Sequence, residues 1–244
     1  MDKLSYISGA TLTRIDYLKE KVDSYKGKRA IQRHNQRRRA LEHESLNSSY
    51  FIEYPQNAHS TKRHLSKTDK KLLKRLESAW NYSVGNCPDG HISQRDLEVM
   101  QAIIVPEGEL GIRTIEVDVT LPDSVNPPPV LLVQECLDEM YQFLGTRGST
   151  LHLVEKAAYM HLELAYIHPF DDGNGRTARM TQNVMLYHGG LVPVSIQEHE
   201  RGLYFSALQT ALRGVIREDV LMQRPFFELV GSKVIDGLEK VLQG

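Results

Sequence analysis

Residues 168–179 read HPFDDGNGRTAR, which sets one imidazole, two carboxylates, two glycines and two guanidinium groups side by side. His168 can be neutral near pH 7 and accept a proton from an attacking hydroxyl. Asp171 or Asp172 could hold Mg2+, an ion that bridges a carboxylate and substrate phosphates. Arg176 offers a guanidinium fork to phosphate oxygens, and Arg179, three residues on, reaches the same side of a helix. A base, a metal carboxylate and a phosphate cradle are the parts that phosphoryl or nucleotidyl transfer needs. A Walker loop is excluded, because the GxxxxGK[ST] order and its lysine are missing.

The elements on either side must bring these groups together. Upstream, Leu162, Leu164, Ala165 and Ile167 can bury one side of a helix over 150–167. His168-Pro169 then breaks the pattern, because proline lacks an amide hydrogen and restricts the residue before it. Asp171 to Gly175 must be a turn. Downstream, Arg176, Arg179 and Asn183 recur at helical spacing, with Ala178, Met180, Val184 and Leu186 able to face a core. A glycine-bearing turn that opens a helix exposes amide hydrogens at the positive end of the helix dipole, which makes an anion site. Gly173 and Gly175 permit left-handed dihedrals and close approach by a ligand.

The run from His168 to Arg179 resembles the signature of the Fic (filamentation-induced-by-cAMP) family, HxFx(D/E)GNGRxxR, and matches every specified position. The resemblance implies transfer of AMP from Mg2+-bound ATP to a protein hydroxyl. His168 would be the general base and Asp172 the metal ligand. Gly173, Asn174 and Gly175 would form the phosphate hole, Phe170 would pack inward, and Arg176 and Arg179 would meet the phosphates. Doc-type kinases carry lysine where this chain has Gly175, which favours adenylyl transfer over phosphorylation. Many Fic proteins also have an inhibitory helix marked (S/T)xxxE(G/N). Ser49 to Glu53 matches its first five places, with Tyr54 where glycine or asparagine is expected. Taken alone Glu53 is a surface carboxylate and Ser49 the cap of a short helix near 45–54. The resemblance implies a Glu53–Arg179 pair that takes a cation away from the terminal phosphate of ATP. It further implies a flap, Arg113, Thr114, Ile115, Glu116 and Val117, that docks a target segment by strand addition, and Tyr204 as an adenine contact.

The rest of the 244-residue chain fits a helical protein. Apolar periodicity predicts helices over 10–27, 67–82, 93–105, 130–144 and 197–217, and a last helix that begins at Pro225. Residues 111–121 alternate β-branched and polar side chains and read as a strand of a hairpin; 122–129, with three consecutive prolines, is a stiff connector. The expected fold is all-α, a Fic-like bundle with one β-hairpin flap beside the active site. Its parts are an N-terminal helical segment 1–89, a catalytic core 90–215 and a C-terminal extension 216–244.

A formal charge of -1 supplies no field for nucleic acid, and the one basic run, 28–39, reads as a solvated helix. Two cysteines fit neither a zinc cluster nor a secreted scaffold. His152 and His161 read as structural. The N-terminus shows no signal-peptide pattern and no stretch approaches a membrane span, so a soluble cytoplasmic protein is expected. The reading is thus a protein adenylyltransferase using ATP and Mg2+, autoinhibited by Glu53, acting on a target protein and, by auto-modification, on itself. The alternatives are a Fic-fold enzyme that uses another donor or removes AMP, and a nucleotide-responsive protein-binding module without chemistry.

Overall fold

The computed structural model describes residues 5–24, 28–55, 65–107, 110–117 and 125–243. Among them nine α-helices occur, and no strand. They are α1 Gly9–Asp23, α2 Lys28–Glu53, α3 Lys67–Asn86, α4 Gln94–Ile104, α5 Val133–Gly145, α6 Leu153–Ile167, α7 Asn174–His188, α8 Arg201–Ile216 and α9 Val220–Leu242.

Helix starts follow local chemistry. Ser66 and Ser93 cap α3 and α4 through reciprocal capping boxes with Asp69 and Asp96. Asp219 caps α9 by accepting from the amides of Leu221 and Met222. The last helix therefore begins five residues before Pro225, not at it. The cap fixes the start, and the proline is absorbed inside the helix with one missing amide donor.

The centre of the molecule is the antiparallel pair α6–α7, joined by the turn at 168–173; α8 packs on α9, α1 on α9 and α3 on α4. α6 is buried on nearly every side, from Val154 and Ala157 through Leu162 and Leu164 to Ile167. α7 is buried as well but carries polar groups inside: Arg176, Thr177, Arg179, Thr181, Gln182 and Asn183. Buried polar groups persist only where they find partners, and Asn183 shows the pattern by exchanging bonds with the Val194 backbone at 2.8 and 3.0 Å.

α2 is one continuous helix, so Ser49 lies inside its final turns and is not the cap of a separate short helix. No breaker separates the basic run from the apolar end, and periodicity carries the helix through. Arg37 and Arg38 of that run donate to the Val241 and Gly190 carbonyls, at the C-terminal ends of α9 and α7. Positive charge is favoured there by the helix dipole, so these two arginines hold α2 against the bundle.

The expected strand is replaced, in its described part, by a loop over 111–117; 118–121 lie outside the described residues. The reason is Arg113. Its side chain is fully buried and donates to three backbone carbonyls, of His168 (2.9 Å), Ile115 (3.1 Å) and Pro128 (2.5 Å). Its own amide donates to the Pro169 carbonyl at 2.8 Å. These bonds fold the segment onto the α6–α7 turn and take up groups that a ladder would use.

Candidate functional site

His168 closes α6. Its amide still donates to the Leu164 carbonyl at 3.1 Å, yet its backbone turns left-handed at φ 50 and ψ 56. That conformation is costly for a residue with a Cβ and is held here by its surroundings: Arg113 clamps the His168 and Pro169 carbonyls from one side. Asn174 clamps Phe170 from the other, accepting from its amide at 2.9 Å and donating to its carbonyl at 2.7 Å. Gln101 of α4 donates to the Asp172 carbonyl at 3.0 Å. Phe170 points inward and is 2% exposed.

The imidazole is oriented by the Ala165 carbonyl, 3.4 Å from Nδ1. A carbonyl only accepts, so Nδ1 carries the hydrogen and Nε2 is left with a free lone pair. Burial lowers the His168 pKa below its ordinary 6.5; the bond to Ala165 opposes this, and the charge of Arg113 adds to the lowering. The side chain is thus a neutral imidazole near pH 7.

The turn ends at Gly173, with φ +83, where a Cβ would sit 2.8 Å from the Val105 side chain. Only glycine fits both demands. Thr177 makes the first helical bond of α7, to the Gly173 carbonyl at 2.8 Å, so the amides of residues 174–176, which line the cavity, precede any helical partner. Asn174 contributes its amide only, since its side chain is spent on Phe170.

Both arginines are held by carboxylates. Arg176, 7% exposed, lies 2.9 and 3.0 Å from the two Asp172 oxygens. Arg179, also 7% exposed, reaches Glu53 at 2.5 Å, the Ser49 hydroxyl at 3.1 Å and the Ser49 carbonyl at 3.3 Å. Burial alone would raise the Glu53 pKa, but the Arg179 charge and hydrogen bond outweigh it and bring it below the ordinary glutamate value. Glu53 is the last residue of α2, where negative charge opposes the helix dipole. Its position serves Arg179 at the expense of its own helix. Tyr54, where the motif expects a small residue, lies beyond the helix end with its ring 5.1 Å from Tyr50, and the Glu53–Arg179 bond forms with it in place.

His168, Asp171, Asp172, Gly173, Asn174, Gly175, Arg176, Arg179, Glu53 and Tyr204 line a single cavity of about 360 Å³. Ser49 touches it only through Arg179. The loop residues Arg113 to Val117 do not line it; Ile115 is 61% exposed on the outer surface and Arg113 acts as a buried strut. Tyr204 is 2% exposed, and its hydroxyl lies 3.1 Å from His161 and 3.5 Å from Arg179, which makes it a support for the arginine.

Sequence reasoning missed Arg201 and Gln101, and it read His161 as structural without its partners Gln182 and Tyr204. Arg201 borders the cavity, donates to the Ile52 carbonyl at 3.0 Å and lies over the Phe205 ring at 4.7 Å. No motif marks it, because its role depends on where α2 ends. The exposed Asp172 carboxylate fits Mg2+, which takes one or two protein carboxylates and completes its shell with phosphates and water. No group of three ligating side chains occurs among the described residues, and a site of that kind requires none. No described helix is long and apolar enough to cross a membrane.

Residues 91–186 match the Fic/DOC family model. The chain is 48% identical over 70 residues to a protein adenylyltransferase Fic of Drosophila persimilis, a match that covers 29% of this chain and 14% of that protein. A second protein adenylyltransferase Fic, of Nematostella vectensis, is 41% identical over 95 residues, covering 39% of this chain and 22% of the relative. The chain thus spans a small part of the curated relatives it matches. In fold it is similar to Fic-1 (aa134–508) from C. elegans, with a TM-score of 0.68 at 22% identity over 95% of this chain and 71% of that one.

Proposed function

We propose that this chain, whose residues 91–186 match the Fic/DOC family model, is a protein adenylyltransferase, moving AMP from ATP to a Ser, Thr or Tyr hydroxyl of a target protein. The observation that carries this reading is the convergence of a neutral imidazole, an exposed carboxylate and two guanidinium groups on one cavity at the start of α7.

His168 Nε2 takes the proton of the target hydroxyl as its oxygen attacks the α-phosphorus, and pyrophosphate leaves. The amides of residues 174–176 and, once their carboxylate partners are displaced, the two guanidinium groups neutralise the triphosphate and stabilise the charge that develops on it. Asp172 would hold Mg2+, which supplies positive charge against the phosphate oxygens. The left-handed backbone of His168 aims the imidazole at the cavity, and Arg113 keeps it there. The loop at 111–117 offers exposed Ile115 as the docking point for the target segment beside the base.

The resting arrangement is closed. Arg176 is engaged by Asp172 and Arg179 by Glu53, so the triphosphate must displace two carboxylates, and Glu53 adds negative charge where a terminal phosphate would lie. This is autoinhibition by α2. Incubating the wild-type protein and Glu53→Gly with α-labelled ATP and Mg2+ in a cell extract tests the reading. Labelled protein, enriched in the variant and absent with His168→Ala, is expected. No label from ATP, but label from another nucleotide at equal concentration, would move the donor assignment; no label from any donor would end the transferase reading.

A further inference from the structure

Arg179 is held by two independent sets of partners. One set comes from α2: the Ser49 hydroxyl, the Ser49 carbonyl and the Glu53 carboxylate. These three leave together if the end of α2 moves. The other is the Tyr204 hydroxyl of α8, at 3.5 Å, and this contact does not depend on α2. Behind it stands a buried relay. Tyr204 lies 3.1 Å from His161 Nε2, and His161 Nδ1 lies 2.8 Å from the Gln182 side-chain oxygen. Tyr204, His161 and Gln182 are each 2% exposed.

We infer that His161 and Gln182, acting through Tyr204, form a positioning relay that holds Arg179 ready for phosphate once Glu53 has released it, an inference that rests on the transferase reading. The direction of the relay follows from donor inventories. A guanidinium only donates, so the Tyr204 oxygen accepts from Arg179 and must send its own hydrogen elsewhere. The available acceptor is His161 Nε2, which is then unprotonated. The ring hydrogen therefore sits on Nδ1 and goes to Gln182. A charged imidazole would break this order, since both nitrogens would donate. Burial prevents that by pushing the His161 pKa down to about 3. The Phe226 ring, edge-on at 5.1 Å, walls the imidazole. The Tyr204 contact is loose while Glu53 pulls Arg179 from the other side at 2.5 Å, and it remains as the hold from α8, beside the neutral contacts to Ser49, when that pull ends.

The relay is tested by measuring binding of a non-hydrolysable ATP analogue with Mg2+ to four proteins: wild type, Tyr204→Phe, Glu53→Gly and the double variant. Tyr204→Phe should weaken binding about tenfold in the Glu53→Gly background, the low end for a hydrogen bond to a charged group. In the wild-type background, where the Glu53 carboxylate still holds Arg179, it should change affinity much less. Equal affinities of Glu53→Gly and the double variant would overturn the inference, as would an equal effect in both backgrounds. Nitrogen NMR of wild-type His161 gives a second reading that needs no variant to fold. A hydrogen on Nδ1 with Nε2 bare supports the relay; a hydrogen on Nε2 removes it. If Glu53→Gly binds no nucleotide at all, the transferase reading fails on its own, and the His161 tautomer still decides whether the relay exists.

Discussion

Replacing Glu53 with glycine removes the carboxylate that holds Arg179 at 2.5 Å, while leaving Ser49 and Tyr204 as neutral partners of the guanidinium. A charge-assisted hydrogen bond contributes about 1.5–3 kcal/mol when desolvated. The Glu53 side chain is 36% exposed, so solvent screening places the value near the lower end, about 1.5 kcal/mol. Removing an acidic group from the C-terminal end of α2 also relieves roughly 0.3–1 kcal/mol of unfavourable dipole interaction. Glycine at a helix end offsets part of that relief through its conformational freedom. The net change should leave stability within about 1 kcal/mol, a shift of roughly 2–4 °C in Tm for a chain of this size. Nucleotide affinity should rise on the order of tenfold, as a lost 1.4 kcal/mol barrier to the binding-competent arrangement requires. Calorimetric titration with an ATP analogue and Mg2+, together with a thermal melt, measures both. An unchanged affinity in a protein that melts normally would refute the inhibitory role of Glu53. A collapse in Tm would show that the carboxylate serves the fold instead.

Three further outcomes follow from the same geometry. The transfer rate should fall on the acid side with a midpoint below 6.5, because burial lowers the His168 pKa under that ordinary value and the base is lost only as the pH falls through the lowered pKa; a pH–rate profile with its acid midpoint at or above 6.5 would contradict the buried-base assignment. Gly173→Ala should cost about 2 kcal/mol through the left-handed backbone, more if the Val105 contact at 2.8 Å cannot relax, and a thermal melt equal to wild type would show that the turn can rearrange. Arg113→Met leaves three backbone carbonyls without their donor, at roughly 1–3 kcal/mol for each that water cannot reach, so hydrogen exchange should rise together at residues 110–117 and 166–172; a rise confined to the first segment would show that Arg113 does not brace the His168 turn.

The turn was legible because its residue types act locally. Proline after His168, glycine at 173 and the return of helical spacing from Arg176 fix the backbone of the site without distant partners, and the pairing of Arg179 with Glu53 was implied by a motif that survives in the chain. Elements settled by distant contacts were less legible. The alternation over 111–121 speaks for a strand, yet one buried guanidinium, bonding to carbonyls as far away as His168, folds the described part into a loop. Ser49 looks like a cap because serine favours caps, but α2 runs straight through it and its hydroxyl goes to Arg179. The Asp219 cap was present in the sequence and outweighed by the more conspicuous Pro225. His161 had no local signal, since its partners lie 21 and 43 residues away on other helices.

The central claim is that one imidazole and two guanidinium groups serve a single bound polyphosphate, and paired measurements on His168→Ala and Arg176→Ala test it most directly. His168→Ala should lower transfer by roughly 10²- to 10⁴-fold with nucleotide affinity nearly unchanged, whereas Arg176→Ala should lose affinity. If His168→Ala loses affinity as heavily as transfer, or still labels protein at the wild-type rate, the imidazole is not the base facing that phosphate.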